Sequence, residues 1–253
     1  MTTIESFPDW IRATLAARPG PGSVGLIALA TDANIEPELR SLLPPEIGMC
    51  TTRLANTDPI TAETLHRTEG QIADAARRIL PGHDVSALIY GCTAGAAVLG
   101  DRAVAARLRE ARPDAWCLSP VGAADEAMRF LGINRLSILT PNVRSLNEAI
   151  ANYFARAGFD VRNVMGFEID EDRDITRITP EAIAHAASRA CDPQADGLLV
   201  SCTSLRATSA IERIEAEIGK PVVTSNQALA WSVLRRFGFP GRRAVPGQLG
   251  SAG

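Results

Sequence analysis

Two stretches decide how this chain is read: Val85-Ser-Ala-Leu-Ile-Tyr90-Gly-Cys92-Thr-Ala94 and Gly197-Leu-Leu-Val200-Ser-Cys202-Thr-Ser204. Each is a short apolar run, as a buried strand requires, that ends in a Cys-Thr turn and leads into residues able to start a helix. The two cysteines lie 110 positions apart (202 − 92), and the interval recurs. Leu26–Asp32 matches Leu136–Asn142 at the same offset, and so does Gly48-Met49 with Gly158-Phe159. Landmarks that keep one spacing indicate an internal duplication.

Outward from these turns, strand-like and helix-like segments alternate. Val24–Ala30 is nearly uninterrupted apolar sequence, as expected of a parallel strand covered on both faces. Helices are expected at 36–43, 61–80, 101–112, 123–131, 145–157, 180–190, 209–218 and 228–236, with further strands at 49–54, 115–118, 136–139, 159–165 and 221–224. The acidic segment 168–174 reads as a loop. Such alternation means βαβ units and parallel sheets. The fold class is therefore α/β: two pseudo-symmetric lobes, each a parallel β-sheet flanked by helices, with the active site in the cleft between them. The expected division is 22–119 plus 221–253 as a discontinuous first lobe and 120–220 as the second. Residues 1–21 form an N-terminal helical extension, with Ile4, Phe7, Trp10, Ile11 and Leu15 on one face. The Gly- and Pro-rich tail from Pro240 is expected to be loosely held.

Composition narrows the function. The 253 residues carry a net charge of −3 with 22% charged side chains, which leaves no basic face for nucleic acid. No apolar run approaches the roughly 20 residues that cross a bilayer, and the first ten residues carry Glu5 and Asp9 where a signal peptide would be basic and then apolar. A cytoplasmic location is the default expectation, and a homodimer is possible on base rates. Five cysteines without a CxxC pair argue against a disulfide framework or zinc site, and the 3 histidines occupy helix-like or turn positions.

In open parallel sheets, ligands bind beyond the carboxyl ends of the strands. Asp32, Cys92, Asn142 and Cys202 all fall at that edge. A helix N-terminus beside each cysteine would favour the thiolate. Thr93 and Thr203, with the local N–H groups, would suit a substrate carboxylate. The plainer readings are a small core residue for each cysteine and a helix cap for Asp32 and Asn142. Those readings are retained for Cys50, Cys117 and Cys191; the matched Cys-Thr context sets Cys92 and Cys202 apart.

Gly25–Asp32, Tyr90–Ala94, Leu139–Asn142, Ser201–Arg206 and Pro221–Gln227 together resemble the aspartate/glutamate racemase superfamily. Within it they are similar to the maleate cis–trans isomerase branch, and most closely to that branch's ectoine-utilisation proteins. The resemblance implies an isomerase that uses no cofactor and holds a small carboxylate between two cysteines. Carried over, Cys92 is the nucleophile and Cys202 the opposed acid/base, with Thr31, Asp32, Thr93, Ala94, Thr140, Asn142, Thr203 and Ser204 around the substrate. Amino-acid racemisation, with proton removal on one face and return on the other, is the alternative. A metabolite-binding relative without activity is a third reading, favoured if neither thiol has a depressed pKa. Arylmalonate decarboxylases of the superfamily keep only the second cysteine, so the presence of both argues against that activity. Two positions depart from the isomerase pattern: an asparagine is replaced by Asp32 and a tyrosine by Asn142. Asp172 falls near a further isomerase asparagine, in a loop whose alignment is loose, and no role is drawn from it.

Overall fold

In the computed structural model, which describes residues 20–239 and 245–252, strand β1 (Ser23–Leu29) is buried along its whole length. It sits inside a four-stranded parallel sheet of order β2-β1-β3-β4, completed by β2 (Gly48–Leu54), β3 (Ala87–Gly91) and β4 (Trp116–Leu118). The second sheet repeats the plan as β6-β5-β7-β8, from β5 (Arg135–Thr140), β6 (Asp160–Gly166), β7 (Gly197–Val200) and β8 (Val222–Thr224). In both, the strand that delivers a cysteine pairs with the first strand of its own copy: Val24 opposes Ala87, and Leu136 opposes Gly197. The duplication expected from sequence is thus a duplication of topology.

The helices follow. In the first copy they are α1 (Ile35–Leu42), α2 (Ala62–Thr68), α3 (Ile72–Arg78), α4 (Thr93–Leu99), α5 (Asp101–Ala111) and α6 (Pro120–Phe130). The second supplies α7 (Arg144–Arg156), α8 (Asp172–Ile175), α9 (Pro180–Ala190), α10 (Ile211–Ile218), α11 (Ser225–Arg236) and α12 (Gly247–Ser251). Local chemistry sets their starts: Ser119 and Thr179 cap helices that carry proline in the first turn, and Thr224 with Gln227 forms a capping box for α11.

Four expectations change. The single helix over 61–80 is split by a 3₁₀ turn at Glu69–Gln71, where Gly70 lowers helix propensity. The acidic segment ends in the short helix α8, closed by the Thr176 N–H donating to the Asp172 carbonyl at 2.9 Å. The expected boundary at 221 places the last strand in the first lobe; β8 instead pairs with β7, because each copy supplies its own fourth strand. The helices after those strands do cross over: α6 touches β8, α11 touches α1, and α6 and α11 pack on each other. Finally, the tail at 245–252 is anchored, with Val245 and Leu249 buried, Gln227 Nε2 donating to the Pro246 carbonyl at 2.7 Å, and Glu215 accepting from the Gln248 N–H at 2.9 Å. The expected helix near residues 4–17 lies outside the described residues.

Candidate active site

Strand β3 ends in Gly91, and that residue type is required. A β-carbon there would sit 2.7 Å from Ile35 Cδ1 and 3.2 Å from the Ile27 carbonyl oxygen. The close approach lets α1 lie against the strand end just before Cys92. Cys92 has an extended backbone and caps α4, its Sγ accepting from the Gly95 N–H at 3.2 Å. Thr93, Ala94, Gly95, Ala96 and Ala97 are all buried, so the sulfur is held in a small-residue pocket.

The second turn differs. Cys202, Thr203 and Ser204 follow β7 as a turn, and helical backbone resumes only at Thr208–Ala210. A helix N-terminus beside each cysteine was expected; only Cys92 has one. The Cys202 N–H is instead held by the Ser225 hydroxyl at 3.1 Å.

Ser225, the first residue of α11, ties the two turns together. Its Oγ also accepts from the Thr93 hydroxyl at 3.0 Å. Beside it, Asn226 Nδ2 donates to the Thr203 carbonyl at 2.8 Å and to Glu38 Oε2 at 2.7 Å. The Thr203 hydroxyl reaches back to the Gly91 carbonyl at 3.4 Å. Ser225 and Thr203, both from the second copy, therefore reach the first copy's cysteine turn, and Cys202 lies within range of the Cys92 charge.

Asp32 does act as a cap: its Oδ1 accepts from the N–H groups of Asn34 (2.8 Å) and Ile35 (2.9 Å) at the start of α1. Capping uses one oxygen. The other, Oδ2, has no hydrogen-bond partner, although Asp32 is only 1% exposed. Asp172, brought over from the second copy by α8, is the carboxylate the sequence left without a role. Its Oδ2 accepts from the Thr31 hydroxyl at 2.6 Å, and its N–H donates to Asp58 Oδ1 at 2.9 Å. Asn34 Nδ2 closes the same seam by donating to the Ser204 carbonyl at 2.7 Å. Thr31, Asp32, Thr93, Ala94, Thr203 and Ser204 are thus gathered with the two cysteines. Thr140 and Asn142 are engaged within their own turn: the Thr140 hydroxyl bonds Asn147 Oδ1 and accepts from the Asn142 N–H at 3.0 Å. Asn142 Nδ2 is buried without a partner.

The electrostatics run against a resting thiolate. Burial pushes the Cys92 thiol up to about 12; the Gly95 N–H opposes this, while Asp172 and Asp32 add to it. Cys202 is raised well above the ordinary thiol value by burial, then by Asp172 and Asp32, against the Ser204 N–H. Asp32 is itself raised by burial, with the Ile35 N–H opposing and Asp172 adding. Asp172 is raised by burial, offset by the Ser204 and Thr31 hydroxyls and reinforced by Asp58. Desolvation of a fully enclosed sulfur outweighs the dipole of a seven-residue helix. The helix start favours the Cys92 thiolate as expected, through the Gly95 N–H, but burial outweighs it.

Ser225, Asn226, Glu38 and Asp172 are the site residues that sequence reasoning passed over. Ser225 and Asn226 stood inside a quoted motif, Pro221–Gln227, and their proximity to both cysteines depends on α11 crossing between lobes. His66, His83 and His185 are exposed, and among the described residues no group of three or more His, Cys, Asp or Glu could hold a metal ion.

A duplicated α/β fold in which each half delivers one strand-end cysteine to a shared buried site defines the class: two-lobed proteins built around a cysteine pair. The chain belongs to the arylmalonate decarboxylase family, whose model matches residues 24–250. It is 28% identical over 244 residues to the maleate isomerase of Nocardia farcinica, covering 88% of this chain and 92% of that one. It is 25% identical over 230 residues to the arylmalonate decarboxylase of Bordetella bronchiseptica, covering 83% and 94%. Among solved structures, the maleate isomerase Iso of Pseudomonas putida superposes with a TM-score of 0.84 at 25% identity, covering 92% of this chain and 99% of that one. A Nocardia farcinica maleate cis–trans isomerase mutant with a covalently bound succinylcysteine intermediate gives 0.80 at 25% identity, covering 90% and 98%.

Proposed function

We propose that this protein is a cofactor-independent isomerase of a small carboxylic acid, with Cys92 and Cys202 as the reacting groups. The observation that carries this reading is the convergence of both Cys-Thr turns on one buried site through Ser225. A binding protein has no need of two cysteines, Cys92 buried and Cys202 half-buried, brought to one site within range of the Cys92 charge.

Two chemistries use such a pair. In cis–trans isomerisation, the Cys92 thiolate adds to a carbon–carbon double bond, the resulting single bond rotates, and elimination of the thiolate restores the double bond. The maleate isomerase relatives, one of them with a succinylcysteine adduct, support this course. In racemisation, one cysteine removes the α-proton and the other returns a proton to the opposite face; Asp32 in place of the isomerase asparagine favours this course. The raised thiols meet the condition named for a metabolite-binding relative, so the isomerase reading stands on the paired turns and not on the thiol pKa values; raised thiols nevertheless suit both courses. One cysteine must be a thiol to deliver a proton, and a sulfur with a high pKa is the stronger base once it is ionised.

The relevant assay is turnover of maleate, aspartate, glutamate, hydantoins, diaminobutyrate derivatives and an arylmalonate in deuterated water. Racemisation incorporates deuterium at the α-carbon, whereas addition–elimination converts the cis to the trans alkene without requiring exchange of a carbon-bound hydrogen. Release of carbon dioxide from an arylmalonate, with no isomerised product from any compound, would overturn the isomerase reading.

A further inference from the structure

We propose that the Asp32–Asp172 pair receives a protonated amine of the substrate, so that the substrate is an amino-bearing carboxylate and not a simple dicarboxylate. This deepens the cysteine-pair reading and rests on it for the location of the reacting carbon.

The argument begins with an unmatched acceptor. Asp32 Oδ1 is occupied by two N–H groups of α1, but Oδ2 has no partner and no solvent, with the whole residue 1% exposed. Such an atom is costly in a folded protein unless something else satisfies it. The Thr203 hydroxyl comes close enough to Asp32 to lower its pKa as a donor, but the bond it completes is the 3.4 Å one to the Gly91 carbonyl, so Oδ2 keeps acceptor capacity to spare. Asp172 stands on the other side, 3% exposed, with hydroxyl partners from Thr31 and Ser204 but no cation. Among the described residues, no Lys or Arg pairs with either carboxylate. Arg53, whose guanidinium reaches the Asp32 backbone, donates to the carbonyls of Leu29 (2.9 Å) and Asp32 (2.7 Å) and faces Glu36, while Arg173, next to Asp172 in sequence, pairs with Glu171 and Asp174.

Both carboxylates come from different copies and lie within charge range of both sulfurs. A second substrate carboxylate placed there would meet two like charges in a desolvated setting. An ammonium group would meet an empty acceptor and two opposite charges, and would also lessen the burden these carboxylates place on thiol ionisation. Asn142, at the matching position of the second copy, is a neutral amide whose buried Nδ2 has no partner, so the carboxylate at this position is confined to the first copy.

Isothermal titration calorimetry tests this on the whole protein with matched probes: 2-aminobutyrate against butyrate, aspartate against succinate, glutamate against glutarate, and maleate alone. A charge-assisted contact predicts that in at least one pair the amino member binds about tenfold or more tightly than its partner. D32N keeps the Oδ1 cap of α1 and is expected to reduce that preference to about threefold or less; D172N, which keeps an acceptor for Thr31, is expected to weaken it in the same direction. If no amino member outbinds its deaminated partner, or if the preference survives unchanged in both variants, the proposal fails. Because binding is read without turnover, an amine preference in a protein that isomerises nothing would refute the isomerase reading alone.

Discussion

Burial of Cys92 has a measurable consequence for its reactivity. With the thiol pushed up to about 12, the ionised fraction at pH 8 is about one in ten thousand, against about one in ten for a thiol at the ordinary value of 9.0. Only the thiolate is alkylated, so the rate at Cys92 should lie about a thousandfold below that of an ordinary thiol at this pH before any steric hindrance is counted. It should then climb about tenfold per pH unit from pH 7 to pH 10 without levelling. The assay is timed iodoacetamide labelling followed by quantitation of the Cys92 peptide by mass spectrometry. Asp32→Asn should move the profile to lower pH, since the Asp32 charge is one of the causes raising this thiol. A plateau with its midpoint at or below pH 8 would refute the reasoning, because it would show that Gly95 and the α4 dipole outweigh desolvation. A midpoint near 9 would report labelling through transient opening, with the sulfur reacting as a solvated thiol.

Three further outcomes follow from the same contacts. Ser225→Ala leaves the Cys202 N–H and the Thr93 hydroxyl without their shared partner, and should cost about 1–3 kcal/mol in stability, read by thermal or urea denaturation, with roughly 10- to 100-fold loss in turnover from misplacement. Gly95→Ala places a methyl against the Tyr90 hydroxyl and 3.1 Å from Cys92 Sγ; overpacking there should cost about 1–3 kcal/mol and speed alkylation of Cys92 as the pocket opens. Asp172→Asn should raise the melting temperature at neutral pH. Because the folded-state pKa of Asp172 lies above the ordinary carboxyl value of 3.8, ionisation favours the unfolded chain as pH rises past that value; the gain should therefore be present at pH 7 and fade toward pH 4.

The architecture was legible because it is written locally. Buried parallel strands such as Val24–Ala30 and Gly197–Val200 are runs of apolar residues, and the 110-residue interval carries the whole plan twice. What was not legible depends on which copy an element packs against. The segment 221–224 looks the same whether it joins the first sheet or the second; only its pairing with Leu198–Val200 decides. Helix α11 then crosses, and with it Ser225 and Asn226, so their bonds to both turns could not be read from spacing. Asp172 was hidden for a similar reason: an acidic loop reads as solvated surface, yet the seam formed by Thr31, Asn34 and Ser204 buries it. The thiol chemistry was misjudged on magnitude. The helix behind Cys92 is real, but complete desolvation with two carboxylates close by outweighs it.

The central claim is that Cys92 and Cys202 act together on one substrate. It is tested most directly by the turnover of Cys92→Ser and Cys202→Ala, each checked for an unchanged melting profile, on whichever compound of the carboxylate panel the wild-type protein converts. Loss of at least about 100-fold in both variants is the predicted result. Wild-type rates in either variant would contradict it.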